Sequence, residues 1–226
     1  MISRESIISA ALDTATAHGF SGLTLQAVAQ RLGVNYMSLY HHVRGIEELR
    51  DLVADAALDE VEVDNRPDRP WDETMVELST RTWEAQQAIP GLRAYVLERW
   101  IAPHRYTPRG NSARLNEICL DCLRRAGFTP SESAVAIVAL RNTTIAGRYP
   151  AGGTRGVRAR ARRMDAATAK AHPLLAKTLP AMNTVDGRDE LEFLMRITMA
   201  GLKAELAAKR RGTARRRRKP ASARAK

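Results

Sequence analysis

Residues 22–43 read Gly-Leu-Thr-Leu-Gln-Ala-Val-Ala-Gln-Arg-Leu-Gly-Val-Asn-Tyr-Met-Ser-Leu-Tyr-His-His-Val, and this stretch leaves the chain few local structures to adopt. Thr24 stands where its hydroxyl oxygen can cap a helix. Leu25, Val28, Ala29 and Leu32 follow at i, i+3, i+4 and i+7, one apolar stripe. Gly33 stops that helix, because glycine takes the left-handed conformation without a side-chain clash. Val34, Leu39 and Val43 can share the same core, while Asn35, Tyr36, Ser38, Tyr40, His41 and His42 between them are polar or amphipathic. The spacing predicts two short helices, 25–32 and 35–41, joined by a glycine turn. That is a helix-turn-helix, and its second helix fits the DNA major groove.

The flanking sequence predicts a first helix over 3–18, with Ile8, Ala11, Leu12 and Ala15 as its stripe and Gly19 at its end. Ile46, Leu49, Val53 and Ala56 repeat helically over 46–62, and Glu47 and Glu48 suit the positive end of that helix dipole. Pro67 and Pro70 break the pattern between Val63 and Pro70. Beyond Trp71 every pattern is helical: 72–88, 91–102, 111–126, 131–148, about 160–179 and 188–208, with no convincing alternating strand. The expected organisation is a helix-turn-helix unit over 1–62, a helical domain over 71–208 and a low-complexity Arg/Lys/Ala tail over 209–226, disordered in isolation.

From Ala11-Leu12 through Gly19, Leu23-Thr24, Gly33-Val34 and Leu39-Tyr40-His41-His42-Val43 to Glu47-Glu48-Leu49, the chain resembles the DNA-binding domain of TetR-type bacterial repressors. Leu123-Arg124-Arg125-Ala126-Gly127-Phe128-Thr129-Pro130 resembles the link between two ligand-domain helices of that class. Glu192-Phe193 to Gly201-Leu202 resembles its last helix. The resemblance implies an all-α fold, with an N-terminal three-helix DNA-binding domain followed by a helical ligand-binding and dimerisation domain. It implies a sequence-specific transcriptional regulator, a repressor released from its operator by a small molecule, acting as a homodimer on palindromic double-stranded DNA. Carried onto matching positions, Gln26, Asn35, Tyr36, Met37 and Ser38 are base-reading candidates, and Thr24, Tyr40, His41, His42 and Arg44 are phosphate candidates. The chemistry fits: Gln and Asn can bond adenine bidentately, and Met37 or Tyr36 can pack on a thymine methyl. Tyr40 can also set its ring inward, and His42 can simply pack between helices. Where many family members carry a lysine at the start of the fourth helix, this chain has Gly45-Ile46.

In the second domain, Trp83, Trp100, His104, Asn142 and Thr143 are the pocket candidates, with Tyr95, Tyr106, Tyr149, Phe193 and Thr144 nearby in the reading. Helical bundles bind small molecules between helices in mostly apolar pockets with a few polar anchors. The low visible charge there implies a neutral or weakly polar organic ligand. Helices 131–148 and 188–208 are expected to pair with their mates across a two-fold axis. Val138, Ile145, Leu191, Leu194, Met195 and Leu202 are the interface candidates, on a stripe that includes Thr198 and Leu206.

The formal charge of +11 is unevenly spread: ten cations and no acid lie in 209–226, so residues 1–208 carry only +1. Residues 1–45 hold Arg4, Arg31 and Arg44 against Glu5 and Asp13, a weak electrostatic grip for a DNA-reading domain. The tail can add phosphate contacts or stay solvated. A second reading follows, a sequence-tolerant nucleic-acid-binding or architectural protein driven by the tail.

No catalytic constellation, phosphate-cradling glycine loop or cofactor pattern is present, so the expectation is a non-enzyme without metal or cofactor. Adjacent His41 and His42 point about 100° apart on a helix and cannot share a metal as an i, i+4 pair can. Cys119-Leu120-Asp121-Cys122 has the gap of a zinc or redox half-site, but it lies in a helical pattern without a second pair and also reads as small packing residues. There is no run of 18 apolar residues, and Asp13 and His18 interrupt the N-terminal apolar stretch. Neither a membrane span nor a signal peptide is therefore expected, and the location is cytoplasmic.

Overall fold

The computed structural model describes residues 2–101, 108–146 and 165–218. The helices are α1 (Arg4–His18), α2 (Leu25–Leu32), α3 (Ile46–Ala56), α4 (Trp71–Gln87), α5 (Leu92–Ile101), α6 (Gly110–Ala126), α7 (Pro130–Ala146), α8 (Ala166–Ala171), α9 (Pro173–Thr184) and α10 (Gly187–Arg218). Short 3-10 turns cover Phe20–Gly22 and Tyr36–His41, and no strand occurs among the described residues. The fold is all-α, as expected.

Local chemistry sets the first helices. The Ser3 hydroxyl accepts from the Ser6 amide at 3.1 Å and Ser6 Oγ accepts from the Ser3 amide at 2.9 Å, a reciprocal cap that starts α1. Ile7, Ala10, Ala11, Thr14 and Ala15 are buried, so the apolar stripe turns on Ile7 while Ile8 and Leu12 stay half-buried at its edge. Three alanines on that face let α2 and α3 approach closely. Thr24 caps α2 through Ala27 N at 3.1 Å, and Gly33 closes it at φ 67°. These helices pack around Leu23, Val28, Leu39, Val43, Leu49 and Val53.

A second core gathers Met75, Trp83, Cys122, Leu123, Leu140, Leu191 and Met195 from α4, α6, α7 and α10. The boundary between the units is not the proline-rich break alone. Ile89 and Leu92 lie in the first core, and the Phe20 amide donates to Pro90 O at 2.7 Å. Gly19 makes that junction possible. Its φ is +77°, and a Cβ there would lie 3.3 Å from Pro90 O. Gly19→Ala is therefore expected to cost about 1–3 kcal/mol, read as a lowered urea midpoint with an unchanged slope.

Four expectations need correction. The second helix of the helix-turn-helix is a 3-10 turn over Tyr36–His41, in which the His42 amide bonds Leu39 O. The fourth helix ends at Ala56, short of 62, because Arg114 of α6 takes the carbonyls of Leu58, Asp59 and Val61 at 3.0–3.3 Å and turns the chain into the second core. The stretch read as one helix over 160–179 contains two, α8 and α9, separated at His172. Pro173 disfavours the helical region for the residue before it, and His172 sits at φ −129°, ψ 67°. The last helix continues through Arg218, well past 208, because Ala, Arg and Lys are strong helix formers and Gly212 alone weakens the run. Residues 219–226 and the glycine- and arginine-rich stretch 150–163 lie outside the described residues.

Candidate nucleic-acid interface and ligand cavity

The reading face is built on backbone caps. Asn35 Oδ1 accepts from the Met37 amide at 2.9 Å and starts the 3-10 turn. That bond uses one lone pair of the carboxamide oxygen and leaves the NH2 group free to meet a base. Leu39 and Val43 anchor the turn in the core, with 0% and 2% exposure, and push Tyr36, Met37, Tyr40 and His41 outward. Gln26 is exposed on the first turn of α2, Ser38 and His42 are half-buried, and Thr24 is exposed. The Thr24 oxygen accepts from Ala27 N, which leaves its O–H free to donate to a phosphate. Tyr40 is 47% exposed, with its neighbour Leu39 filling the core position. Of the ten predicted DNA-facing residues, eight are exposed and Ser38 and His42 are half-buried.

Two of the three arginines of residues 1–45 are held by carboxylates, Arg31 by Asp13 at 2.8 Å and Arg4 by Glu48 at 2.7 Å. Glu48 also accepts from the Arg44 amide at 2.7 Å, leaving the Arg44 side chain exposed. The Arg44 N–H and then the Arg4 guanidinium hold the Glu48 carboxyl below its ordinary value. A lowered carboxyl pKa stabilises the fold above the ordinary value of 4.5, and that contribution fades as pH falls through the folded-state value. Glu48→Gln should lower the urea midpoint at about pH 7 and leave it nearly unchanged at about pH 3.

Helix α3 and the turn that follows it carry Asp51, Asp55 and Asp59 at four-residue spacing, and each of the three is bound by another element. Asp51 accepts from the Tyr95 hydroxyl at 2.7 Å and from Arg99 of α5. Asp55 accepts from the backbone amides of Asn111 at 3.0 Å and Ser112 at 2.8 Å, capping the first turn of α6 from 57 residues away in sequence. A Cβ at Gly110 would strike that carboxylate. Asp59 accepts from the Asn111 side chain at 3.3 Å. The i, i+4, i+8 spacing of the three aspartates was legible in the sequence, but it names no partner.

Above this clamp a cavity of about 600 Å³ opens between α3, α4, α5, α6 and α7. Its walls are largely apolar, with Met75, Leu78, Leu115, Ile137, Leu140 and Ile145, and it reaches Leu52, Asp55 and Leu58 on the α3 side. Polar groups enter from Ser79, Thr82, Gln86, Asn116, Arg141 and Thr144. Gln86 is 6% exposed, and its Oε1 has no hydrogen-bond partner among the described residues. Arg141 donates to Asn116 Oδ1 at 2.6 Å. Arg141 and Gln86 escaped the sequence reading because single polar residues in apolar helical patterns do not announce which side faces a void.

Among the described pocket candidates, Trp83, Asn142 and Thr143 do not line this cavity, whereas Tyr95 and Thr144 of the wider set do. Trp83 is buried in the second core with Arg93 over its ring at 5.6 Å and does not line the cavity. Thr143 faces α10, its hydroxyl 3.3 Å from that of Thr198, and Asn142 is exposed. Their neighbour Thr144 lines the cavity. His104, Tyr106, Tyr149 and the Trp100 side chain lie outside the described residues.

The interface candidates divide. Leu191 and Met195, at 1% and 2% exposure, and Ile145 are packed inside the protomer, and Leu194 and Leu202 are half-buried. The candidate Val138 is exposed, and the other exposed apolar side chains of α7 and α10 include Val135, Phe193 and Ile197. A helical stripe read from sequence cannot tell the side facing its own α4 and α7 from the side left open.

Cys119 and Cys122 are free and buried, and burial pushes the Cys119 thiol up to about 12 and the Cys122 thiol upward. Both are protonated packing groups. No group of three His, Cys, Asp or Glu that could hold a metal occurs among the described residues, and no helix there is long and apolar enough to cross a membrane.

The family model for bacterial regulatory proteins of the tetR family matches residues 7–53, the segment that forms the first core. The TetR family protein ActR of Streptomyces coelicolor, in complex with (S)-DNPA, superposes with a TM-score of 0.77 at 26% identity, over 91% of this chain and 99% of that one. Residues 7–53 thus match the tetR family, and the chain shares the fold of ActR. Among curated TetR relatives, the tetracycline repressor protein class A from transposon 1721 of Escherichia coli is 30% identical over 142 residues, 62% of each chain. An uncharacterized helix-turn-helix-type transcriptional regulator of Mycobacterium tuberculosis is 40% identical over 60 residues, 26% of this chain and 28% of the relative. The matches thus span less than two thirds of these relatives' length.

Proposed function

We propose that this chain is a TetR-family, sequence-specific DNA-binding regulator, a repressor that works as a homodimer on a palindromic operator and is released by a small organic molecule. One observation carries the reading. A 600 Å³ apolar cavity has in its wall Leu52 and Asp55 of α3, the helix that packs on the DNA-facing unit. A ligand that fits better when α3 and α6 separate or tilt shifts the population away from the DNA-competent arrangement, by as much as its differential affinity allows. ActR has been crystallised with (S)-DNPA and with actinorhodin, which supports a ligand role for the cavity of this fold.

The lining favours a ligand with an apolar body and a hydrogen-bond donor for Gln86 Oε1. At the cavity mouth Asp51 pairs with Arg99 and Glu48 with Arg4, so much of the charge there is neutralised within the protein. This is in keeping with a weakly polar ligand.

The test is selection of bound duplexes from a random pool, followed by titration. The wild type should converge on one palindrome. Tyr36→Ala should weaken that duplex by roughly 1–3 kcal/mol and leave random DNA nearly unaffected. Equal loss on both, or no convergent sequence, would favour the tail-driven, sequence-tolerant reading instead.

A further inference from the structure

The basic C-terminal segment emerges at the end of the molecule opposite the DNA-reading face. Helix α10 runs antiparallel to α4: Arg188 pairs with Glu84 near the end of α4, and Lys203 pairs with Asp72 at its start. Further on, Lys209 Nζ donates to Gly127 O at 3.0 Å and Glu132 at 2.7 Å, and Arg210 donates to Ala126 O at 3.5 Å. These groups close the far end of α6. The helix-turn-helix unit docks on the other ends, through Pro90 after α4 and Ser112 at the start of α6. Helices α4 and α6 have 17 residues each, a separation of about 25 Å. Residues 209–218 continue outward by about another 15 Å.

The segment holds Lys209, Arg210, Arg211, Arg215, Arg216, Arg217 and Arg218 and no acid. At 100° per residue the positions of these cations are spread round the helix, and the run Gly212-Thr213-Ala214 between them spells no apolar stripe. A membrane-surface helix needs such a stripe. Arginine outnumbers lysine six to one, and its planar guanidinium bonds phosphate oxygens bidentately.

We infer that residues 211–218 form a second, sequence-independent DNA-backbone site, which takes a duplex other than the one under the helix-turn-helix. In a dimer it presents two such sites away from the operator, so the protein can hold a second segment of DNA against the first. This rests on the operator-binding reading only for the bridging step; the site itself does not.

The test uses the full chain, a chain truncated after Gly212, which keeps Lys209 and Arg210 in place, and the four-fold variant R215Q/R216Q/R217Q/R218Q. Their affinities for a random duplex of about 40 base pairs are measured by anisotropy across a salt series, alone and with Tyr36→Asp disabling the reading face. Circular dichroism establishes that each variant is folded. The full chain with Tyr36→Asp should still bind the duplex. Truncation should lower that affinity at least roughly tenfold and cut the log–log salt slope by roughly three or more, since each phosphate contact contributes about 0.9. With the selected operator immobilised, the full chain should capture a second labelled duplex and the truncated chain should not.

An unchanged salt slope on truncation would overturn the inference. So would binding of the tail to vesicles of phosphatidylserine and phosphatidylcholine in preference to the duplex. Failure to find an operator removes the bridging step and the parent reading, while the anisotropy arm still decides the site.

Discussion

Phe193→Arg combined with Ile197→Arg is expected to turn a dimer into monomers that lose operator binding by orders of magnitude. Both side chains are about half exposed, at 52% and 53%, beside Val135 at 72% and Val138 at 44%. Exposed apolar side chains grouped on two adjacent helices mark an association surface. Burying each such side chain is worth roughly 1.5–3 kcal/mol, and two-fold symmetry counts every one twice. The double substitution removes that gain and sets four cations against one another across the axis. Sedimentation should show a wild-type dimer and a variant monomer at micromolar concentration, with matching far-ultraviolet circular dichroism. Leu191→Arg or Met195→Arg should behave differently. These side chains fill the second core, so a buried unpaired charge unfolds the protomer rather than dissociating it. A wild-type monomer, or a double variant that stays dimeric, would refute the assignment of this face.

Asp55→Ala is expected to cost about 2–3 kcal/mol in stability and to blunt ligand-driven release. The carboxylate makes two charge-assisted bonds to the open amides of α6, in the place where a helix usually supplies its own cap. It also lines the cavity from α3. Removing it leaves two first-turn amides without that partner and loosens α3 from α6. DNA binding by the ligand-free protein should survive, because the reading face is capped locally by Thr24 and Asn35. Urea midpoints measure the first effect. The ratio of DNA affinities with and without the releasing compound measures the second, and a ratio equal to wild type would show that coupling runs elsewhere. Asp55→Asn should fall between the two, since its carbonyl oxygen keeps one neutral bond.

The strongest local signals read correctly. Thr24 and Gly33 bound α2 where the sequence placed them, and the long helices α4, α6 and α7 match their periodic segments to within a residue or two. Errors came where neighbouring elements overrule a local pattern. Arg114 stops α3 by taking its outgoing carbonyls, and the Asn35 cap tightens the 36–41 segment into a 3-10 turn. For residues 209–218 high charge argues against packing, whereas helix propensity and an anchor at Lys209 suffice to extend a helix already formed.

What the sequence by itself determined is everything that depends on neighbours within about four residues: the caps, the glycine stops, the apolar periods, and hence an all-α chain opening on a helix-turn-helix. Only the tertiary structure decided which side of a stripe is covered. Leu191 and Met195 turn to α4 and α7, and Phe193 and Ile197 stay open, although all four lie on one helix within seven residues. It also decided that Asp55 caps a helix more than fifty residues away and that α10 carries its cations away from the DNA-facing end. Periodicity records the angle between side chains around an axis. It holds no information on the direction in which that axis runs or on what lies opposite, and those are fixed only when the helices pack.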